Sequence, residues 1–170
     1  MAKSTVPNLF TFANLACGIL SLIMTFNGNY TWACLFIIIA GLIDRYDGRV
    51  ARFLQVSSDI GKELDSLADL VSFGVAPSIL LFSLYNFMSF GIIGYFLVVI
   101  FPIAGAYRLA RYNSTQFNNI FMGVPITIAG VLLALYGLIT INHNLNPGLT
   151  VILMLLLSYL MISKLQIKKI

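Results

Sequence analysis

Four aspartates at two helical spacings are the residues of this chain best suited to chemistry. Asp44 and Asp47 are three apart, Asp65 and Asp69 four apart, so each pair occupies one face of a helix. All six acidic residues lie between Asp44 and Asp69. A short charged connection separates the pairs, so their helices run antiparallel and bring both pairs to one depth. Four converging carboxylates repel unless cations neutralise them. Hard divalent ions with oxygen ligands do so, and Mg²⁺ or Mn²⁺ suits carboxylates that share the ion with substrate phosphates. The competing reading is ion pairing with Arg45, Arg49, Arg52 and Lys62. Arg45 and Arg49 fall on other faces than Asp44 and Asp47, toward solvent or headgroups. Asp59 and Glu63 read as surface positions at the helix start, with Asp59 suited to an N-cap.

The elements that must carry these residues are apolar helices. Of 170 residues, 59% are hydrophobic and only 9% charged, against about 25% charged in soluble domains. Such a chain has lipid as its solvent, and lipid admits helices or closed barrels. Its apolar runs are continuous rather than alternating, which excludes the barrel. Candidate spans are Leu9–Phe26, Thr31 to about Leu54, Leu64–Phe87, Phe90–Tyr107, Phe121–Ile141 and Leu149–Ser163. All ten basic residues then fall on one side, so both termini and the charged loops are expected in the cytoplasm. The expectation is an all-α integral membrane protein: a six-transmembrane-helix bundle forming a single domain over 1–170. Its setting is the cell membrane, multi-pass. The net charge of +4 reads as topology and contact with anionic headgroups, not nucleic-acid binding. From Thr31, thirteen uncharged residues precede Asp44; at 1.5 Å each they cover about 20 Å of the ~30 Å hydrocarbon core. Asp44 and Asp47 are thus expected inside the membrane boundary, where an uncompensated carboxylate is costly. Cys17 and Cys34 read as small buried hydrophobes. The N-terminal stretch does not read as a cleavable signal.

Small residues sit one turn from the carboxylates: Gly48 after Asp44, Ala51 after Asp47, Gly61 before Asp65. They free the surface for a ligand or for close helix packing. Written out, the stretch is Asp44, two residues, Asp47-Gly48, two residues, Ala51-Arg52, eight residues, Gly61, three residues, Asp65, three residues, Asp69. It resembles, position for position, the motif of the CDP-alcohol phosphotransferase family, eight fixed positions over 26 residues. The six-span layout is similar as well. The resemblance implies a reaction in which an alcohol attacks the β-phosphorus of a CDP-linked lipid, CMP leaves and a phosphodiester forms. It implies two metals held by Asp44, Asp47, Asp65 and Asp69, with Asp69 also the catalytic base. Gly48, Ala51 and Gly61 would flank the cytidine and ribose, with Arg52 near the nucleotide. It also implies a homodimer. Many members begin with an amphipathic surface helix; about seven residues precede the first run here, too few for a substantial one.

Three stretches bear on the acceptor: Ser66 to Ser78, Tyr107 to Asn113, and Phe121 to Pro125. They resemble the serine-using branch of the family, the membrane-embedded phosphatidylserine synthases. Branches taking glycerol phosphate or inositol phosphate usually carry Pro after the third aspartate and Lys after the fourth; Ser66 and Leu70 stand there. The expected partners are therefore a CDP-diacylglycerol-type lipid and L-serine. Pro7-Asn8-Leu-Phe-Thr11-Phe-Ala-Asn14 resembles the family's first helix, where Asn8 and Thr11 would contact the nucleotide or Asn8 would cap the helix. Arg108 and Arg111 lie three apart at a helix end, and at least one is expected to bind the serine carboxylate or a lipid phosphate; the alternative is membrane anchoring. Ser72 and Gly74 are weaker candidates for the same subsite. Pro77 is expected to kink the third span. His143 has no expected catalytic role.

Overall fold

The structure, a computed structural model, describes residues 5–54, 59–114, 121–143, 147–163 and 166–167, with side chains for 8–46, 60–114, 123–143 and 147–163. It is an all-helical bundle. Helix α1 (Thr5–Phe26) turns into α2 (Tyr30–Leu54). Next comes a continuous rod of α3 (Asp59–Asp69), a π-helical turn (Leu70–Val75) and α4 (Ala76–Leu84). Helices α5 (Ile92–Ser114), α6 (Ile126–Thr140) and α7 (Pro147–Ile162) complete it. A two-residue antiparallel pairing joins Phe121–Met122 to Gln166–Ile167.

The exterior is apolar. Phe12, Ile19, Phe26, Trp32, Ile92, Phe96, Ile139 and Tyr159 are exposed, while Ala33, Ala40, Ala76, Ala104, Ala129 and Ala134 are buried beside Ser and Thr. Small and hydroxylated residues inside, large aliphatic and aromatic ones outside, is the pattern of helices packing within lipid. Among the described residues, three helices are long and apolar enough to cross a membrane: Asn8–Phe26, Ile60–Leu84 and Ile92–Ser114. Ile126–Thr140 and Pro147–Ile162 are apolar but shorter, and α2 carries Asp44, Arg45 and Asp47 in its second half. Cys17 and Cys34 are free thiols within the bundle.

The turn between α1 and α2 is made by Gly28 at φ +71°. Asn29 N–H reaches Met24 O at 2.8 Å and Gly28 N–H reaches Thr25 O at 3.0 Å, the paired C-terminal bonds that a left-handed residue permits. The Ser21 hydroxyl then donates to Ala33 O, fastening the two helices.

Several helix boundaries differ from the sequence expectation, the third span among them, whose helix starts at Asp59 rather than Leu64 and ends at Leu84 rather than Phe87. The fifth helix starts at Ile126, not Phe121: Gly123 has φ +76°, the Val124 N–H bonds to Leu160 O, and Pro125 occupies the N-cap. Phe121–Met122 is extended instead. The fourth helix runs on to Ser114, past the expected Tyr107, because its charged last turns find protein partners.

Pro77 perturbs its rod upstream of itself. It lacks an N–H, so Phe73 O has no α-helical donor, and the backbone pairs as a π turn, with Ala76 N–H bonded to Val71 O. The Ser78 hydroxyl takes Gly74 O at 2.8 Å. Ser72, Phe73 and Gly74, the middle of this turn, are all buried. Ser72 donates to Asn14 O in α1 at 2.9 Å. Gly130 of α6 lies flat on Phe73, where an added Cβ would stand 2.5 Å from the Phe73 carbonyl oxygen; one on Gly74 would come 3.5 Å from Pro102 Cα in α5. The π turn is thus gripped by three helices immediately after Asp69.

Candidate active site

Packing α3 against α1, which itself packs against α2, brings three of the four aspartates together. One carboxylate oxygen from each of Asp44, Asp65 and Asp69 lies within 4.8 Å of the others. Asp69 is buried, and Asp44 and Asp65 are half-buried. Asp65 Oδ1 is buried with no hydrogen-bond partner. Three converging carboxylates, one presenting an unpaired oxygen, fit a hard divalent cation, which supplies the missing partner and offsets the repulsion. Asp47, Gly48, Ala51 and Arg52 follow on the backbone of α2, but their side chains lie outside the described residues. Arg45 is exposed, away from the cluster as its spacing implied.

Neighbouring helices hold the cluster. The Asp44 carboxylate is hydrogen-bonded by Thr127 in the first turn of α6. Asp69 Oδ1 accepts from Asn14 Nδ2 at 3.0 Å. Arg108 of α5 is buried and feels the charge of Asp69, and its Nε has no hydrogen-bond partner. Asn113, five residues on, donates to Ser66 Oγ at 2.9 Å and Glu63 Oε1 at 3.2 Å, pinning α5 to α3. Lys62 lies over the Tyr112 ring.

The other expected site residues are distributed unevenly. Thr11 is buried and Asn8 half-buried on α1. With Asn14 they form a row at spacings of three, one face of that helix. Gly61 is half-buried one turn before Asp65. Arg108 and Arg111, three apart at the end of α5, have different surroundings: Arg108 is buried, and Arg111 turns to α7. Arg111 Nη1 donates to Ile162 O at 2.9 Å, and its Nη2 lies 3.5 Å from Met161 O and Ser163 O. It thereby caps the carbonyl end of α7, where a cation is favoured. The Ser72 hydroxyl is committed to α1, and Gly74 is packed against α5 and α6. His143 is exposed in the turn after α6.

Asn14 and Thr127 escaped the reading of the sequence as site residues. Asn14 had a signal: an uncompensated amide in an apolar helix, three residues after Thr11. Thr127 had none, since a threonine early in an apolar helix is commonplace.

The CDP-alcohol phosphatidyltransferase family pattern matches residues 4–164, almost the whole chain. The chain belongs to that family. Among curated relatives, the CDP-diacylglycerol–serine O-phosphatidyltransferase of Bacillus subtilis (strain 168) is 38% identical over 162 residues, 95% of this chain and 88% of the relative. The protein of that name from Helicobacter pylori (strain J99) is 38% identical over 167 residues, 94% of this chain and 70% of the relative. The archaetidylserine synthase of Methanothermobacter thermautotrophicus is 34% identical over 165 residues, 95% of this chain and 68% of the relative. For a CDP-alcohol phosphatidyltransferase, apolar helices with a carboxylate cluster describe a membrane enzyme.

Proposed function

We propose that this membrane enzyme transfers the phosphatidyl group of a CDP-diacylglycerol-type lipid, or its ether equivalent, to the hydroxyl of L-serine and releases CMP. The observation that carries this reading is the convergence of Asp44, Asp65 and Asp69 within 4.8 Å in a chain built like the serine-using relatives.

Asp44, Asp47, Asp65 and Asp69 would hold two divalent cations, Mg²⁺ or Mn²⁺. When bound, the ions neutralise the carboxylates and stabilise charge on the pyrophosphate. The chain's own residues bind, orient and accept a proton. The serine hydroxyl oxygen bonds to the β-phosphorus while the bond from that phosphorus to the bridging oxygen breaks. CMP takes the bridging oxygen and its electron pair, and the hydroxyl proton passes to Asp69 as general base. Asn8, Thr11, Gly48, Ala51, Arg52 and Gly61 are assigned to the nucleotide. Six spans with both termini in the cytoplasm put the site on the cytoplasmic side of the cell membrane, where CMP and serine are soluble and the lipid tails stay in the bilayer. The working form is a homodimer.

Arg108 is assigned to the serine carboxylate or the lipid phosphate, since a buried guanidinium with an unused N–H suits a planar anion; Ser72 and Gly74 shape the wall behind it. Arg111 serves α7 instead. Arg108→Lys is therefore expected to raise the serine KM by about tenfold or more. Arg111→Lys leaves KM near the parent value and lowers the thermal midpoint. Steady-state kinetics and a melting curve on both variants check this.

CMP release by the purified protein with CDP-diacylglycerol and Mn²⁺ or Mg²⁺ tests the reaction, with L-serine, glycerol 3-phosphate and inositol phosphate in parallel. Release with serine is expected. Release with a phosphorylated alcohol only, the second reading, would retain the carboxylate site and discard the assignment of the acceptor.

A further inference from the structure

Asn14 is fully buried in α1 and uses only half of its amide. Its nitrogen donates to Asp69 Oδ1, while its side-chain carbonyl oxygen is buried with no hydrogen-bond partner. An unpaired acceptor shielded from water is costly, and native proteins keep few of them. Its place is fixed, because the carbonyl of its own backbone is held by Ser72. Arg108, from α5, is buried where it feels the charge of the same carboxylate, and it keeps an unused donor, its buried Nε. Asp69 is thus flanked by an unused acceptor from one helix and an unused donor from another. A free amino acid carries the matching set: an ammonium donor, a carboxylate acceptor and, in serine, a hydroxyl to be deprotonated.

We propose that Asn14 determines acceptor specificity: its side-chain carbonyl oxygen receives the ammonium of the amino-acid acceptor, while its amide nitrogen holds Asp69 toward the hydroxyl. This rests on the serine reading given above. An acceptor bearing a phosphate and no ammonium leaves that oxygen unpaired in the loaded site, so the same residue disfavours it.

The test separates the two charged groups of serine. CMP release from CDP-diacylglycerol with L-serine is measured for the parent protein, Asn14→Ala and Asn14→Leu. Competing ligands are 3-hydroxypropionate, which is serine without its ammonium, and ethanolamine, which lacks the carboxylate. For the Asn14 variants, the serine KM and the ethanolamine inhibition constant are expected to rise together, by about tenfold or more. Inhibition by 3-hydroxypropionate should stay nearly constant. Arg108→Lys should give the opposite pattern, weakening 3-hydroxypropionate and sparing ethanolamine. Asn14→Leu keeps the branched outline and the number of side-chain heavy atoms of Asn in an apolar helix and carries the test where Asn14→Ala unfolds. Equal weakening of serine and 3-hydroxypropionate, or a fall in kcat alone, would overturn the proposal, because Asn14 would then act on Asp69 only. A parent protein that uses another alcohol and not serine would show the failure of the serine reading itself, before any substitution.

Discussion

Asp69→Asn is expected to lower serine-dependent CMP release by about a thousandfold or more, since a proton acceptor and a charged metal ligand are lost together. The substitution is chosen for shape. An asparagine side chain there still accepts the Asn14 amide, so the link between α1 and α3 (Asn14 Nδ2 to Asp69 Oδ1, 3.0 Å) survives and the fold with it. The loss should appear in kcat, with CDP-diacylglycerol binding retained. Single-turnover measurement of CMP formation, beside a binding isotherm for the lipid nucleotide, checks both. Turnover within about tenfold of the parent would remove Asp69 from the role of base and return the search to Asp65, whose Oδ1 is unpaired.

Stripping divalent cations should abolish turnover entirely and lower the melting temperature by several degrees; Mn²⁺ or Mg²⁺ should restore both. The cause is the Asp44–Asp65–Asp69 cluster, whose oxygens lie within 4.8 Å of one another in a partly buried setting where like charges are poorly screened. A cation binding only the folded state at about a hundred times its dissociation constant adds about 2.7 kcal/mol. Substituting the carboxylates should therefore flatten the metal dependence of the melting temperature as well as of activity. Titration of metal-free protein by calorimetric or fluorescence melting is the direct check. A melting temperature insensitive to chelator, in protein that is active with metal, would mean that the ions arrive with the lipid pyrophosphate.

Much of this arrangement is legible in the sequence alone. The antiparallel meeting of Asp44 with Asp65 and Asp69 follows from two spacings and a short connection, because helical geometry is strict and apolar flanks fix direction. The turn at Asn27–Asn29 was marked by Gly28, and Arg45 was expected to face away, as it does. What spacing does not encode is which neighbouring helix completes a site. Thr127 reaches Asp44 only because Gly123 and Pro125 start α6 at that level, five residues later than the apolar run suggested. Arg108 and Arg111 look equivalent on a helical wheel. They part because the C-terminal carbonyls of α7 capture the second, a tertiary fact. Pro77 marked a disturbance correctly, but its form, a widened turn before the proline, depends on how Gly130 and Pro102 close around Phe73 and Gly74.

That widened turn has a geometric corollary. A π turn accommodates an extra residue relative to the α-helical ladder, and each residue of an α-helix advances the side-chain direction by about 100°. Asp59–Asp69 and Ala76–Leu84 are therefore one rod in outline but two angular frames. The first is indexed to the carboxylates and to Asn14, the second to the lipid-facing bundle. Removing a single residue between Leu70 and Val75 would leave a rod of nearly the same length, with the carbonyl four residues before Pro77 lacking a donor, and would swing Asp65 and Asp69 away from Asp44 by roughly a quarter turn. The segment works as a fixed angular offset, and among homologues its residue count is expected to vary less than its residue identities.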